Sequence, residues 1–356
     1  MPARRSQDLK KIKDARDEKG RVKGGITLIE VAKLAGVSPM SVSRALNSPN
    51  LVSEKTLAKV LATVSETGYV ANRLAGGLAS QRSRLVAAVV PSIAAPVFQD
   101  LVQSLIVSLS GSNYQLMLGQ TDHSHDGEDQ LFNAILGRRP DGIVLVGVTP
   151  SSSGRKKLTA SGIAVVETWD MVRAPIDMVV GFSHADIASE VASFLLAQNR
   201  RFLAFAGGAH ERAQRRATAF SSAALDKRKK GARAESVIVQ PVGVPTTVGE
   251  GRMAFREIIR RQPETDGIFC SSDLLALGML IEAKAMGISV PEQVAIVGFG
   301  DLDFSEDVTP ALTTVRIDSK KIGSCAARLI INRAEGMSNP SLVTDLGFTI
   351  IKRESA

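Results

Sequence analysis

From Leu85 to the last residue, Ala356, short uninterrupted apolar runs alternate with amphipathic stretches, and this alternation restricts the possible folds more than any other feature of the chain. The runs are LVAAVV (85–90), YQLMLG (114–119), GIVLVG (142–147), AVVET (164–168), FLAFAG (202–207), SVIVQ (236–240), GIFC (267–270) and VAIVGF (294–299). Between them, helical periodicity marks 97–110, 184–198, 211–227, 249–261, 273–286 and 318–335. A strand that is apolar along its whole length is buried on both faces, as happens in parallel sheets covered by crossover helices. The region holds more strands than one such sheet usually takes, so we expect an α/β domain of two doubly wound parallel-sheet subdomains. With Trp169 the single tryptophan and aromatics only 4% of the chain, Leu, Val, Ile and Ala must fill the cores.

The residues before Leu85 have a different character. Residues 1–84 carry 16 Lys/Arg against 7 Asp/Glu, and the remainder carries 28 against 29, so the positive charge of the chain sits at one end. A small basic module joined to a neutral one is suited to a polyanion. Residues 1–24 are charged and nearly free of large apolar side chains, and we expect a disordered basic arm there. Over 25–70 the pattern is helical. Thr27 followed by Glu30 is a capping-box signature, Gly36 breaks the first helix, and Ser38 caps a second from Pro39 to about Asn47. Ser53 opens a third, which runs to Gly68. Over 71–84, the stretch NRLAGGLAS (72–80) is helical in outline, but Gly76 and Gly77 each cost about 1 kcal/mol in a helix interior. Such a segment frays unless a partner holds it, so we expect a hinge or linker.

Three short helices, the first two joined by a tight glycine turn, predict a helix-turn-helix that lays its second helix in the major groove of double-stranded DNA. Residues at the start of that helix reach base edges. Arg44 can donate two hydrogen bonds to a guanine, Pro39 and Met40 offer apolar contact, and Ser38, Ser41 and Ser43 suit phosphate oxygens. Thr27 and Asn47, at the ends of the two helices, complete the expected DNA-binding set. Val37, Val42, Ala45 and Leu46 would pack the bundle itself.

In open α/β sheets, ligands bind beyond the carboxyl ends of the strands. Polar residues that follow the strands are Gln120 to Asp122, Glu167 and Asp170, His210 to Arg216, Ser271 to Asp273, and Gly300 to Asp303. Arginine is the natural clamp for a carboxylate, because its planar fork donates two parallel bonds. Arginines opposite acidic residues suit a ligand that is both anion and polyol, such as a sugar acid.

The sequence TLIEVAKLAGVSPMSVSRALN, followed by VSEKT, ETGYVANRLAGGLAS and a run of α/β strands, resembles the lactose-repressor (LacI/GalR) family of bacterial regulators from about residue 25 to the end. Later segments, VVETWD (165–170), IDMVVGFSH (176–184), VGFGDLDFSEDVTPALTTV (297–315) and DLGFTI (345–350), are most similar to its gluconate-operon-repressor branch. The resemblance implies a periplasmic-binding-protein-like domain over 85–356 that binds an effector and dimerises. It implies operator DNA, a sugar or sugar acid and a second copy of the chain as partners. In the hinge it makes Leu78 an apolar wedge in the minor groove, followed by Ala79 where the family often has a basic residue. In the cleft it matches Phe98 to an aromatic packed on the effector, Arg216 to a hydroxyl or carboxylate clamp, and Arg212 to an arginine of the gluconate branch. Ser272 falls on a frequent contact position. Asp301 lies beside the family's polyol-binding aspartate, whose own position holds Gly300, and Asp273 is expected to cap the next helix. With Gln120, Glu167 and Asp170, these residues form the expected effector site.

Other functional classes find little support. DHSHDGED (122–129) groups His123, His125, Asp122 and Asp126, but it reads as a polar loop entering a helix capped by Asp126, so no metal is expected. GVTPSSSGRKK (147–157) lacks a complete phosphate loop, and neither FAGGAH (205–210) nor GFGD (298–301) completes a dinucleotide fingerprint. With no nucleophile elbow or Ser/His/Asp arrangement, we expect no enzyme and no cofactor. Cys270 and Cys325 read as reduced thiols, no run is long enough to span a membrane, and the N-terminus has no apolar signal core. The expectation is a cytoplasmic protein. The alternative, a periplasmic-type sugar-binding protein without a DNA role, does not account for the basic head.

Overall fold

A computed structural model describes residues 26–70, 82–93, 95–121, 125–226 and 233–356, without the side chains of residues 125 and 126. The chain divides into two compact units, residues 1–81 and residues 82–356.

In the first unit, helices α1 (Leu28–Ala35), α2 (Pro39–Asn47) and α3 (Glu54–Thr67) form a small bundle. Thr27 starts α1 through a reciprocal capping box: its hydroxyl accepts from Glu30 N, and its own N–H donates to Glu30 Oε2 at 2.7 Å. Gly36 ends α1 at φ 65°, a left-handed conformation that glycine adopts without steric cost. The Ser38 hydroxyl caps α2 by accepting from Ser41 N at 3.1 Å, and Ser53 does the same for α3 from Thr56 N at 3.3 Å. Val31, Ala32, Ala35, Val42, Ala45, Val60 and Tyr69 form the core.

The second unit contains two six-stranded sheets. Its strands are β1 (Leu85–Val90), β2 (Gln115–Gln120), β3 (Gly142–Val146), β4 (Ala164–Thr168), β5 (Met178–Gly181), β6 (Phe202–Gly208), β7 (Ser236–Val242), β8 (Gly267–Cys270), β9 (Ala295–Phe299), β10 (Thr313–Arg316), β11 (Val343–Asp345) and β12 (Thr349–Ile351). The order is β11-β5-β4-β3-β1-β2 in one sheet and β12-β10-β9-β8-β6-β7 in the other. All pairings are parallel except β10 with β12. The helices are α4 (Gln99–Ser110), α5 (His125–Leu136), α6 (Ser152–Ser161), α7 (His184–Ala197), α8 (Glu211–Ala224), α9 (Val248–Arg261), α10 (Asp273–Ala285) and α11 (Ser319–Ala334). The chain passes between the sheets three times: after β5, after β10, and between β11 and β12.

Alternate residues of each strand serve different cores, as a period of two requires. Val86, Val144 and Val166 of the first sheet join Phe205, Phe269 and Val297 of the second in one apolar cluster beneath α4, α7, α8 and α11. Ala87, Val89, Ile143, Leu145 and Val165 face the other way, against Phe132 of α5 and Leu158 of α6. On the far face of the second sheet, Ala204, Ile268 and Ile296 meet Phe255 and Ile258 of α9 and Met279 of α10.

The two-sheet architecture agrees with the sequence reading, and the eight expected strands are present with small shifts at their ends. The strand expected at 114–119 starts one residue later, leaving Tyr114 fully buried ahead of it. Four strands were not expected: β5, β10, β11 and β12, of three or four residues each, too short to show a period. Helix α6 also escaped notice, since SSGRKKLTAS buries only Gly154 and Leu158. DHSHDGED is helical from His125 onward; Asp122, His123 and the side chains of His125 and Asp126 lie outside the described residues. So do the arm expected at 1–24, the hinge through residue 81 and Leu78. Both cysteines are free thiols. Among the described residues no cluster of metal ligands occurs, and no helix is long and apolar enough to cross a membrane.

Candidate ligand cleft and nucleic-acid interface

On the first unit, α2 turns Val42 and Ala45 into the bundle and leaves Pro39, Met40, Arg44 and Asn47 exposed. Met40 is 61% exposed. Met40 and Arg44 are four residues apart, so they share one helix face. Thr27 and Ser38 are exposed and Ser41 and Ser43 half-buried. The Ser38 and Ser41 hydroxyls are hydrogen-bonded to each other at 2.9 Å, and Asn47 Nδ2 donates to Ser43 O at 3.0 Å. The result is a polar helix start, with one long apolar and one cationic side chain projecting from a shared face of the helix.

In the second unit, the polar groups gather where strand ends of both sheets meet the start of α8. His210 caps α8 through Nδ1, which accepts from Ala213 N at 3.3 Å, and the first two turns of the helix carry Arg212, Arg215 and Arg216. Arg212 reaches the first sheet and donates to the carbonyl of Gly147, just beyond β3. Arg215 pairs with Asp170, beyond β4, at 2.8 Å, and with Glu211 at 3.3 Å. Arg216 is 3% exposed. It donates through Nη1 to His184 Nδ1 at 2.8 Å and through Nη2 to Ser271 O at 3.2 Å, and its guanidinium lies 4.4 Å over the Phe299 ring. No carboxylate bonds to it among the described residues, and its Nε is unpaired, as is the Ser271 hydroxyl. Burial lowers its pKa to about 9, so it carries its charge at neutral pH. Burial lowers Arg212 as well, against the pull of Asp170, and raises Asp170 against Arg215 and Arg212.

A row of aromatic rings floors this cluster. Phe98 meets Trp169 edge-on at 5.1 Å, Trp169 meets Phe182 at 5.3 Å, and Phe182 meets His184 at 4.8 Å. Gly181 makes the arrangement possible: a Cβ there would lie 2.3 Å from Asp170 O, so only glycine lets the end of β5 pass beside Trp169 and Asp170.

The structure therefore brings together Phe98, Asp170, Arg212 and Arg216 of the expected set. It uses the others elsewhere. Glu167 points to the α6 face of its sheet with Val165; it accepts from Ile176 N at 2.6 Å and faces Arg155 at 3.6 Å, while burial raises its pKa. Gln120 accepts from Ile93 N at 3.0 Å and so braces the loop after β1. Asp301 is engaged by Arg316 and, at 2.7 Å, by Arg353, on the wall of a separate cavity of about 460 Å³. One expectation is corrected: Ser272, not Asp273, caps α10, its hydroxyl accepting from Leu275 N at 3.4 Å. Asp273 is instead fully buried and accepts from Leu302 N at 2.8 Å, Ser305 Oγ at 3.0 Å and Thr314 Oγ1 at 2.6 Å. Three donors from the β9–β10 connection and from β10 outbid a helix N–H for that carboxylate. Sequence reasoning missed His184 and Phe299. Had MVVG been read as a strand, the strand-end rule would have pointed to His184.

Comparison with known proteins agrees with both halves. Residues 27–72 match the model of bacterial regulatory proteins of the lacI family, and residues 192–356 match a periplasmic binding protein-like domain. The chain is 35% identical over 341 residues to the HTH-type transcriptional regulator GntR of Pseudomonas aeruginosa, covering 95% of this chain and 98% of that one. It is 30% identical to the regulator of the same name from Escherichia coli K12, covering 91% and 96%. A crystal structure of a LacI-family transcriptional regulator from Silicibacter pomeroyi superposes with a TM-score of 0.84 at 31% identity, over 93% of this chain and 99% of that one. None of these is an enzyme. With a capped three-helix head, a two-sheet domain and relatives aligned along almost its whole length, this protein belongs to the LacI family of bacterial DNA-binding transcriptional regulators.

Proposed function

We propose that the chain is a dimeric repressor whose affinity for operator DNA is set by an anionic polyol, a sugar acid of the gluconate class, bound at the strand ends around Arg216. The observation that carries this reading is the buried arginine itself. An isolated buried charge is costly unless paired, yet among the described residues Arg216 bonds only to neutral acceptors and lies on a ring face, with Asp170 acting on it from beyond hydrogen-bond contact. A ligand carboxylate would supply the missing counter-charge, with Arg212 beside it, while Asp170 accepts ligand hydroxyls. Phe98 and Trp169 offer the apolar floor that a sugar carbon chain needs. The relatives sharing the name GntR, and the likeness to the gluconate-operon branch, point to the same ligand class.

In this reading residues 25–70 grip DNA with Thr27, Ser38, Ser41, Ser43 and Asn47 on the phosphate backbone and Pro39, Met40 and Arg44 on base edges. Residues 71–84, with Leu78 in the minor groove, link them to the effector and dimerisation domain, 85–356. A palindromic operator matches the two heads of a dimer. The effector favours one arrangement of the two sheets and shifts operator affinity by a coupling of about 1–3 kcal/mol. The test is calorimetric titration of the full-length protein with gluconate, other sugar acids and neutral sugars, followed by operator binding with each. Binding of gluconate but not glucose, with a change in operator affinity, is the expected result; a preference for the neutral sugar would overturn it.

A further inference from the structure

Building on the proposed anion site, we infer that His184, as the neutral tautomer with its proton on Nε2, is a positioning residue that aims the Arg216 guanidinium and ties it to the strand end carrying Trp169. The tautomer follows from the partners alone. Trp169 O, 3.0 Å from Nε2, can only accept, so Nε2 carries the hydrogen. Arg216 Nη1, 2.8 Å from Nδ1, can only donate, so Nδ1 is a bare lone pair. Both constraints select one neutral form, and His184 is 1% exposed, so water does not compete for either nitrogen.

The same bonds fix the guanidinium. His184 holds Nη1, Ser271 O holds Nη2 and the Phe299 ring supports the plane, which leaves the Nε edge unpaired and unable to rotate away. Ser271 itself sits against Gly207, where a Cβ would come within 3.0 Å of the hydroxyl. On the other side of the ring, Trp169 is held at φ 71°, a left-handed conformation unusual for a tryptophan, with its carbonyl directed at Nε2. His184 therefore connects Arg216, on the second sheet's helix, to the carboxyl end of β4 on the first. Protonation would place a hydrogen on Nδ1 facing the Arg216 donor and add a cation beside Arg212, Arg215 and Arg216, the charged groups that act on the ring from α8. Among the described residues of the other packed elements, the Trp169 carbonyl and the Phe182 and Phe299 rings face it, and burial together with those arginines holds His184 well below the ordinary histidine range.

The test has one arm without ligand and one with it. In nitrogen NMR of the full-length protein, assigned with His184→Gln and Arg216→Lys, His184 should show a protonated Nε2 and bare Nδ1 from pH 7.5 to 5.5. Arg216 should give a narrow, slowly exchanging Nε–H signal that broadens in His184→Leu and persists in His184→Gln, which keeps an acceptor. A His184 that titrates near 6.5, or an Arg216 signal unaffected by His184→Leu, overturns the assignment whatever the effector is. In calorimetry with gluconate, His184→Leu should weaken binding at least tenfold, and His184→Gln should stay within threefold of wild type. Wild-type affinity in His184→Leu overturns the role. A wild-type protein that ignores gluconate removes the ligand assignment instead, and the NMR arm then decides on His184.

Discussion

Arg215 and Arg216 are neighbours on one turn of α8 yet meet opposite kinds of partner: Arg215 pairs with the Asp170 carboxylate at 2.8 Å, while Arg216 leans on the neutral His184 at 2.8 Å. Of the two, Arg216 is the more deeply buried, so the less compensated charge is the one more removed from water. Such a group lowers stability until an anion reaches it. Replacing it by an apolar side chain of similar length removes that cost but leaves the buried His184 Nδ1 and Ser271 O without their donor.

The two effects oppose each other, so Arg216→Met is expected to melt within a few degrees of wild type, at roughly 2–4 °C per kcal/mol, while losing the operator response to gluconate. Thermal melts with and without ligand, paired with an operator-release titration, measure both. A variant that melts much lower, or that still responds, would contradict the assignment of Arg216 to the ligand.

Arg44→Ala separates reading from gripping. Arg44 is exposed on the same face as Met40, so its removal costs the bundle little. If it reads a guanine, the variant should lose about 1–3 kcal/mol, roughly 5- to 150-fold, on operator DNA and much less on random DNA. Equal losses on both would make Arg44 a phosphate contact. The salt dependence of wild-type binding should be steep, because the positive charge is concentrated in the first 84 residues.

How much of this could be read in the sequence varied with how local the signal was. The caps at Thr27, Ser38 and Ser53 and the stop at Gly36 were legible because each depends on neighbours within four residues. Long apolar strands such as LVAAVV showed themselves by composition, whereas β10 and β12, of four and three residues, have no period to detect. The candidate cleft was legible in part. Arg216 and Asp170 follow strands, and the strand-end rule found them. That Glu167 faces α6 rather than the arginines follows from its parity in β4, and the ties of Asp301 to Arg316 and Arg353 join residues 15 and 52 positions apart, which no local pattern reveals.

Ser272 and Asp273 stand next to each other and should fail differently. Ser272→Ala removes the cap bond and a hydroxyl bond to Thr246 and is expected to cost about 0.5–2 kcal/mol. Asp273→Ala strands the Leu302 N–H and the Ser305 and Thr314 hydroxyls in a fully buried site, and should cost more, on the order of 3 kcal/mol or above. Chemical denaturation of both variants gives the comparison, and equal costs would mean that Asp273 does not brace the β9–β10 connection.

His184 is held neutral in the fold, so its folded pKa lies below the value of about 6.5 that it regains on unfolding. As pH falls through that value, the unfolded chain takes up a proton that the folded one refuses, and stability declines by up to about 1.4 kcal/mol per pH unit until the folded pKa is reached. Asp170, Glu167 and Asp273 act in the opposite sense, since burial raises their pKa values and the folded state takes up their protons first. The sum in the wild-type protein thus conceals the histidine, but the difference between wild type and His184→Gln does not, because the three carboxylates are common to both. Denaturation midpoints from pH 7 down to pH 5 should show His184→Gln losing less stability than wild type. Parallel curves would mean that His184 titrates alike in the folded and unfolded chains, and its lone pair would then not be committed to Arg216.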